Sequence, residues 1–432
     1  MEEDEKMTNI RVAESEIVKQ AQARQEPKWL LDLREQAFQN IQVLPLPNPD
    51  KINIENWNFA IQSVSADESI EIPTDLKALW ENDDHNVLVL YKDQIVYQKT
   101  ENIFEQSGVI FTSLFDGLRN HEALIQSHLL QRAIKSDTNK LTALHTACLN
   151  TGAFVYIPKD VVIQTPLHIV FLQKGNEAFH NHVLFVADTN SQVSYVETTF
   201  SIEETEEPVS ATLCSEIFVN NGAKVTYGVI DSLAKSVTAY INRQAHVERD
   251  GHFDCAHGAF GDSQAIFETS THLFGEASKA NTRTVTIGRG KQKQNFTVQT
   301  IHYGKHSEGF ILNQGVGMDE SITTFNGIGK IEFAAVKADA QQSSKMLMLS
   351  KAARGDANPI LLIEEHDVMA GHAASVGKID ELQMYYLMSR GLPREEAERL
   401  IIHGFLAPVV AEIPIEKVRD LLVRMIEGKV SR

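Results

Sequence analysis

The chain has 432 residues, 43% of them hydrophobic and 23% charged, so it can bury a large core and exceeds the usual size of a single compact domain. Its formal net charge of -18 argues against nucleic acid as a partner, and without a run of 18 apolar residues we expect no membrane crossing. An acidic N-terminus unlike a secretory signal, together with three widely spaced cysteines (Cys148, Cys214 and Cys255), predicts a cytoplasmic protein.

The first 150 residues carry mainly helical spacing. Pro27 is well placed to open a helix whose apolar residues recur every three or four positions. A strand pair is predicted at 87–91 and 94–98, where a two-residue connection separates two β-type runs. Residues 109–150 then return to helical spacing. We therefore predict an N-terminal helical and α+β region over residues 1–150.

From residue 151 to 379 the apolar period changes to two, and a unit of strand, polar turn and strand recurs. If Phe185, Phe218, His246 and Phe274 are equivalent, the steps are 33, 28 and 28 residues. Such a step fits about three short strands, which predicts one coil of a parallel β-helix per repeat. A β-sandwich and a propeller stay open as alternatives, although the variable step disfavours the propeller.

Residues 380–432 are predicted to form a C-terminal helical region of three short helices. Pro393 and Pro414 are placed to open the second and third helices, and Gly428 is a candidate stop for the third. Helices this short cannot form an independent core. They must pack on the β-region, on the N-terminal helices or on another protein.

The segment HFDCAH contains His252, Asp254, Cys255 and His257, which are all possible metal ligands. In a strand, however, the first two point to one face and the last two to the other, so the four do not converge. The sequence favours polar residues outside the coil and a buried Cys255.

Two other charged segments resemble chemical motifs without meeting their requirements. Gly288–Lys291 resembles part of a phosphate-binding loop, but Val285 and Gln292 stand where glycine and Ser or Thr are needed. The acidic run Glu364–Asp367 fits a solvated turn better than a catalytic group. The sequence predicts no catalytic centre in the chain.

A lone histidine, His372, is the strongest candidate for chemistry. A β-type run over Ile360–Val368 is predicted to reach a small-residue turn at Met369–Gly371 that presents this imidazole. A neutral imidazole is a good ligand for iron or zinc. A histidine that is simply hydrogen-bonded at a turn is the alternative.

Three segments resemble a known family: EPKWLLDLREQAF from Glu26, LTALHTACLNTGAFVYIPKDVVIQTPLHIVF from Leu141, and a long C-terminal stretch from Ser343 that reads SSKMLMLSKAARGDANPILLIEEHDVMAGHAASVGKIDELQMYYLMSRGLPREEAERLIIHGFLAPVV. They resemble the SufB/SufD family of iron-sulfur cluster assembly proteins. Within that family the chain is similar to the SufD type, because Ala373 follows His372 where SufB-type chains have Glu. The segment 351–358 also lacks the cysteine of SufB-type chains.

This resemblance implies a right-handed parallel β-helix core, mainly β, flanked by N-terminal and C-terminal helical regions. It implies a non-catalytic scaffold that pairs with a SufB-like subunit through the β-helix ends and binds a SufC-like ATPase, which holds the ATP. No cofactor is expected to stay on this chain alone, whereas iron or an iron-sulfur cluster would bind transiently in the complex. His372 would lie at the SufB interface, and Ala370 replaces a cysteine present in some SufD chains. Partner contacts are expected at Tyr385, Tyr386, Arg390, Gly391, His403 and Phe405.

Two other functions are compatible with a β-helix. One is an enzyme that acts on polysaccharide, which would need charged catalytic groups in a groove along the coils. The other is a homodimeric structural protein that pairs through the same unpaired strand edge, as the chain could also do when isolated from its partners.

Overall fold

The computed structural model describes residues 14–59, 70–81, 85–101, 103–175 and 177–430. Its helices are α1 (Glu14–Arg24), α2 (Lys28–Val43), α3 (Thr74–Lys77), α4 (Ile103–Ser107), α5 (Leu114–Asn120), α6 (Glu122–Gln126), α7 (Lys140–Cys148), α8 (Glu381–Ser389), α9 (Arg394–Val410) and α10 (Glu416–Val430). Its strands are β1 (Asn86–Tyr91), β2 (Gln94–Lys99), β3 (Ile110–Ser113), β4 (Thr151–Ile157), β5 (Leu167–Gln173), β6 (Phe179–Ala187), β7 (Gln192–Ser201), β8 (Val209–Val219), β9 (Lys224–Ser232), β10 (Val237–Val247), β11 (His252–Ala259), β12 (Gln264–Leu273), β13 (Lys279–Gly288), β14 (Lys293–His302), β15 (Glu308–Gly317), β16 (Ile322–Ile331), β17 (Asp339–Met348), β18 (Arg354–Ile363) and β19 (Met369–Gly377).

The strands form a parallel β-solenoid made of two facing sheets, which confirms the predicted mainly β fold. The first sheet has the order β19-β17-β15-β13-β11-β9-β7-β5-β1-β2, and the second has the order β18-β16-β14-β12-β10-β8-β6-β4-β3. From β4 onward, successive strands therefore alternate between the sheets. Each coil contains two strands of about ten residues, so the expected three short strands per coil are wrong.

The predicted repeat is correct in period but not in all of its registers. Phe218 lies opposite His246 as expected. Phe185, however, lies opposite Ile217, and His246 lies opposite His272 rather than Phe274. The turns between strands differ in length from coil to coil, so residues at similar sequence steps are offset by one or two positions in the pairing.

The interior of the solenoid, which we call the lumen, is filled by alternate residues of both sheets. Aromatic rings from successive coils stack there, with centroids 5.2 Å apart for Tyr195 and Tyr227 and 4.2 Å apart for Phe267 and Phe296. The inter-strand spacing brings equivalent residues of neighbouring coils into direct contact. The period-two pattern in the sequence reflects this alternation between lumen and exterior.

The N-terminal region packs on the outside of the second sheet and also joins both sheets. Strand β1 pairs in parallel with β5, and β3 pairs antiparallel with β4, so β-structure begins well before residue 151. The predicted helix after Pro27 and the predicted strand pair appear as α2 and as β1 with β2. Helical spacing over 109–150 is interrupted by β3. The predicted division at residue 150 stays a prediction.

Three C-terminal helices follow the solenoid, as predicted. Helices α9 and α10 bury residues such as Leu406 and Leu422 against the outer face of the first sheet. The Lys429 Nζ atom donates to the Gly261 carbonyl oxygen at 2.7 Å and pairs with Asp262 at 3.0 Å. The predicted stop at Gly428 is wrong, because the burial of Lys429 and Val430 continues α10 past the glycine. None of the described helices is long and apolar enough to span a membrane.

Candidate functional site

The last coil of the solenoid leaves its two strands open. Strands β18 and β19 are the terminal strands of the second and first sheets, so each has one edge without a neighbouring strand among the described residues. Unlike the buried strands earlier in the chain, β19 is largely exposed and β18 is half-buried or exposed along its whole length. Large apolar side chains are exposed on them, namely Ile360, Leu362, Ile363, Met369 and Val376. An open, partly apolar strand edge is a ready pairing surface.

His372 lies within β19, opposite Gln342 of β17, and not in a turn as predicted. Strand β18 ends at Ile363, and the turn is formed by residues 364–368. The charged residues Glu364–Asp367 favour the solvent-exposed turn, whereas the small residues around His372 are compatible with a strand. The turn therefore lies earlier in the chain than predicted, and the residues predicted to form it begin β19.

The register of β19 places His372 on the lumen side of the open coil. Gln342 is buried, and its Nε2 donates across the coil to the Ile360 carbonyl oxygen at 2.8 Å. Directly opposed residues of parallel strands project to the same face, so His372 follows Gln342. Ala370 shares this face and Ala373 lies on the other. The imidazole is exposed because no further coil covers it.

His372 by itself is one potential ligand and not a complete metal site. Across the described ranges, no group of three or more His, Cys, Asp or Glu side chains is placed to hold a metal ion. Ala370 and Ala374, the neighbours of His372 on the same face, have no ligating atom. A metal site here needs ligands beyond this side chain.

Helix α8 presents a second exposed apolar surface beside the open coil. Tyr385 is 72% exposed and Tyr386 is 57% exposed, whereas Met384 is buried. Leu382 and Met388 of this helix are exposed as well, so most of its apolar residues point to solvent. A groove of about 470 Å³ between α8 and α9 is lined by Leu382, Gln383, Tyr386, Leu387, Leu400 and Ile401.

The other predicted partner residues divide into two groups. The Arg390 guanidinium lies 5.2 Å from the centre of the Tyr386 ring, and Gly391 ends the helix with a φ of 96°. Both are exposed beside the tyrosines. His403 instead faces Glu427 of α10 at 3.9 Å, and Phe405 packs against the core between helices and solenoid. The structure thus brings four of the six together on α8 and at its C-terminal end.

The possible ligands in the segment HFDCAH lie on opposite faces of the strand, as predicted. His252 pairs with Asp254 at 3.0 Å on the outside of β11, while Cys255 and His257 point into the lumen. Burial raises the pKa of the Cys255 thiol to about 12. A thiol held in this state is neither a good nucleophile nor a good metal ligand.

The two other charged segments form turns. The Gly290 backbone N–H donates to the Asp319 carboxylate at 2.9 Å, and Arg289 pairs with the same carboxylate at 3.9 Å. In the turn before β19, the Glu365 carboxylate accepts from the Ala334 N–H at 3.1 Å. Lys337 pairs with Asp367 at 2.7 Å. These acidic groups connect adjacent coils.

A charged cluster inside the lumen was not predicted. Arg243 reaches across from β10 and donates two hydrogen bonds to Asp231, at 2.9 and 3.0 Å, and lies 3.5 Å from Glu197. His257 Nε2 is 2.7 Å from Asp231, and the Tyr227 hydroxyl donates to Glu197 at 2.8 Å. The alternation of inward and outward residues along a strand could have revealed it, because Arg243 occupies an inward-facing position of β10.

The electrostatics of this lumen cluster follow from burial and from Arg243. Burial alone would raise the pKa of Asp231, but the Arg243 charge and the His257 hydrogen bond outweigh it and lower that pKa to about 2. Burial raises the pKa of Glu197 and lowers that of His257. The Asp231–Arg243 ion pair is consequently the charged centre of the cluster. All of its members are buried inside the solenoid.

A second buried cluster joins the N-terminal region to the solenoid. His145 Nε2 is 2.9 Å from His182 Nδ1, and His182 Nε2 is 3.1 Å from Glu216. The Glu216 carboxylate also accepts backbone N–H groups of Leu130 and Ile134. This arrangement satisfies buried polar groups and fixes α7 and the preceding turn on the second sheet.

Comparison with known proteins gives a consistent result along the chain. Residues 15–169 match the family described as SufBD protein N-terminal region. Residues 170–405 match the family described as SUF system FeS cluster assembly, SufBD core domain. The iron-sulfur cluster assembly protein SufD of Bacillus subtilis (strain 168) is 46% identical over 98% of this chain and 99% of its own length. An iron-sulfur cluster assembly SufBD family protein of Staphylococcus epidermidis is 26% identical over 94% of this chain and 90% of its own.

Proposed function

The chain belongs to the SufB/SufD family of iron-sulfur cluster assembly proteins, and on that premise we propose that it is the non-catalytic, SufD-type scaffold subunit of a SUF complex. In this role it pairs with a SufB-type subunit through the open coil of the solenoid and binds a SufC-type ATPase through the C-terminal helices. ATP is held by the ATPase, and iron or an iron-sulfur cluster is the cargo.

The observation that carries this proposal is the pair of uncovered surfaces at one end of the molecule. Strands β18 and β19 have open edges with exposed apolar residues, and α8 beside them exposes Tyr385 and Tyr386. A strand edge pairs with another strand, whereas an apolar helix face binds in a groove or against another helix. Two surfaces of different kinds favour two different partners.

His372 contributes to the cargo site as one side chain of a site shared with the SufB-type subunit. Its position at the mouth of the lumen, on the outermost strand, puts the imidazole where a paired strand would meet it. With Ala370 and Ala374 beside it, this subunit supplies no thiolate, so the remaining ligands come from the partner.

Motion of the ATPase reaches this site through α8. Three residues separate the end of β19 from the start of that helix, and its N-cap Asp380 accepts the Leu382 N–H at 2.8 Å. A partner that moves α8 therefore acts on the strand that carries His372. Helices α9 and α10, which are packed on the first sheet, would move less.

The test is reconstitution of the chain with its SufB-type and SufC-type partners. We expect a stoichiometric complex, ATP hydrolysis only when the ATPase is present, and slower cluster maturation for His372→Ala. His366→Ala is the matched control, since His366 is an exposed histidine in the turn next to β19. Absence of any complex, or robust ATP turnover by the isolated chain, would overturn the proposal. Equal maturation rates for His372→Ala and wild type would refute the role of His372 in the cargo site and leave the scaffold role intact.

A further inference from the structure

A row of asparagines on the outer face of the second sheet connects the N-terminal region to the open edge. Asn358 Nδ2, on the terminal strand β18, donates to Asn326 Oδ1 at 2.9 Å. Asn326 Nδ2 in turn is 3.5 Å from Asn295 Oδ1. The row is bound at both ends by Asp50: Asn295 Nδ2 donates to the Asp50 carbonyl oxygen at 2.6 Å, and Asn358 Nδ2 donates to the Asp50 carboxylate at 3.2 Å.

The two contacts with Asp50 determine which way the amides point. A backbone carbonyl oxygen and an ionised carboxylate only accept hydrogen bonds, so both Asn295 and Asn358 must turn their NH2 groups toward Asp50. The NH2 group of Asn358 then serves Asn326 and Asp50, which uses both of its hydrogens. Its amide oxygen, on the other side of the group, accepts no hydrogen bond from the described residues.

An open acceptor at this place affects how another strand can pair with β18. Backbone hydrogen bonds hold a paired strand but repeat along it, so they do not distinguish one register from another two residues away. Side chains opposite each other make the distinction. When the edge is covered, the half-buried Asn358 loses its access to water, and an acceptor left without a donor costs free energy.

We infer that the strand of the SufB-type subunit that pairs with β18 places a hydrogen-bond donor, an amide, hydroxyl or basic side chain, against Asn358 Oδ1, and that this contact sets the register between the two subunits. The inference rests on the proposed pairing. A carboxylate does not fit opposite Asn358, because it would face an acceptor and the Asp50 carboxylate. Asn358 thus acts as a specificity residue of the interface.

The experiment measures register and affinity in the full complex. Cys148, Cys214 and Cys255 are buried, so Leu362→Cys adds an exposed thiol on the same face of β18 as Asn358. Single cysteines placed along the partner strand are then tested for disulfide formation with it. We expect one dominant partner position for wild type, and a spread to positions two residues away together with about tenfold weaker association for Asn358→Leu.

Asn295→Leu is the matched control, because it breaks the same row at its inner end and leaves Asn358 at the edge. It should lower the stability of the isolated chain and leave the crosslinking position unchanged. The inference is overturned if Asn358→Leu keeps both the single position and the wild-type affinity. If the wild-type chain does not associate with the SufB-type subunit at all, the proposed function itself fails, and the inference fails with it.

Discussion

The lumen cluster predicts a large stability defect for Arg243→Met. Arg243 is 2% exposed, and its guanidinium compensates Asp231 at 2.9 Å and Glu197 at 3.5 Å. Without it the two carboxylates keep His257 as a neighbour, and burial lowers the pKa of that imidazole, which favours its neutral form. Removal of one partner from a buried ion pair costs about 3–5 kcal/mol, because the other charge stays buried without compensation.

The same argument predicts how the defect changes with pH. Without Arg243, burial raises the pKa of the two carboxylates above their unfolded values near 3.8 and 4.5. A carboxyl group whose pKa is raised by folding stabilises the folded state at pH values below its unfolded pKa. This contribution is lost as the pH rises. The difference between Arg243→Met and wild type should therefore be small near pH 4 and grow toward pH 7.

The assay is urea denaturation followed by far-ultraviolet circular dichroism, at several pH values. Arg249→Met is the control, since Arg249 pairs with Asp250 on the surface at 3.6 Å and such pairs are worth about 1 kcal/mol or less. The double variant Arg243→Met with Asp231→Leu should recover part of the loss. The reasoning is refuted if Arg243→Met unfolds within about 1 kcal/mol of the Arg249 control at pH 7.

Two further predictions concern the partner surface and acid sensitivity. Replacing Tyr385 and Tyr386 with serine should weaken binding of the SufC-type ATPase at least tenfold in a pull-down titration, because each ring is more than half exposed. The melting temperature should stay near that of wild type, and unchanged binding would contradict the assignment. Burial lowers the pKa of both His180 and His246 to about 3 from 6.5. Their neutral forms are favoured by folding, so stability should fall as the pH drops from about 6.5 toward 3, and His246→Gln should flatten that slope in melts at constant ionic strength.

Much of the fold could be predicted because it depends on local pattern. Alternation of apolar residues with a period of two, together with a recurring step, is a direct consequence of stacked strands, and the prolines before α2 and α9 open helices where predicted. The family resemblance rests mainly on the long motif around His372, whose residues are continuous along the chain. Each of these features is determined within a window of residues that are neighbours along the chain.

The tertiary structure decided what depends on contacts between distant residues. Whether a 28-residue step holds two strands or three depends on how coils stack. His372 lies in a strand because Gln342 pairs with it, and Gly428 lies inside α10 because the helix end is buried on the solenoid. Arg243 is tolerated in the lumen because two acids from the opposite sheet reach it. The sequence by itself determined the period, the helices and the family, whereas register, exposure and the ends of the asparagine row depend on pairing between segments far apart in the chain.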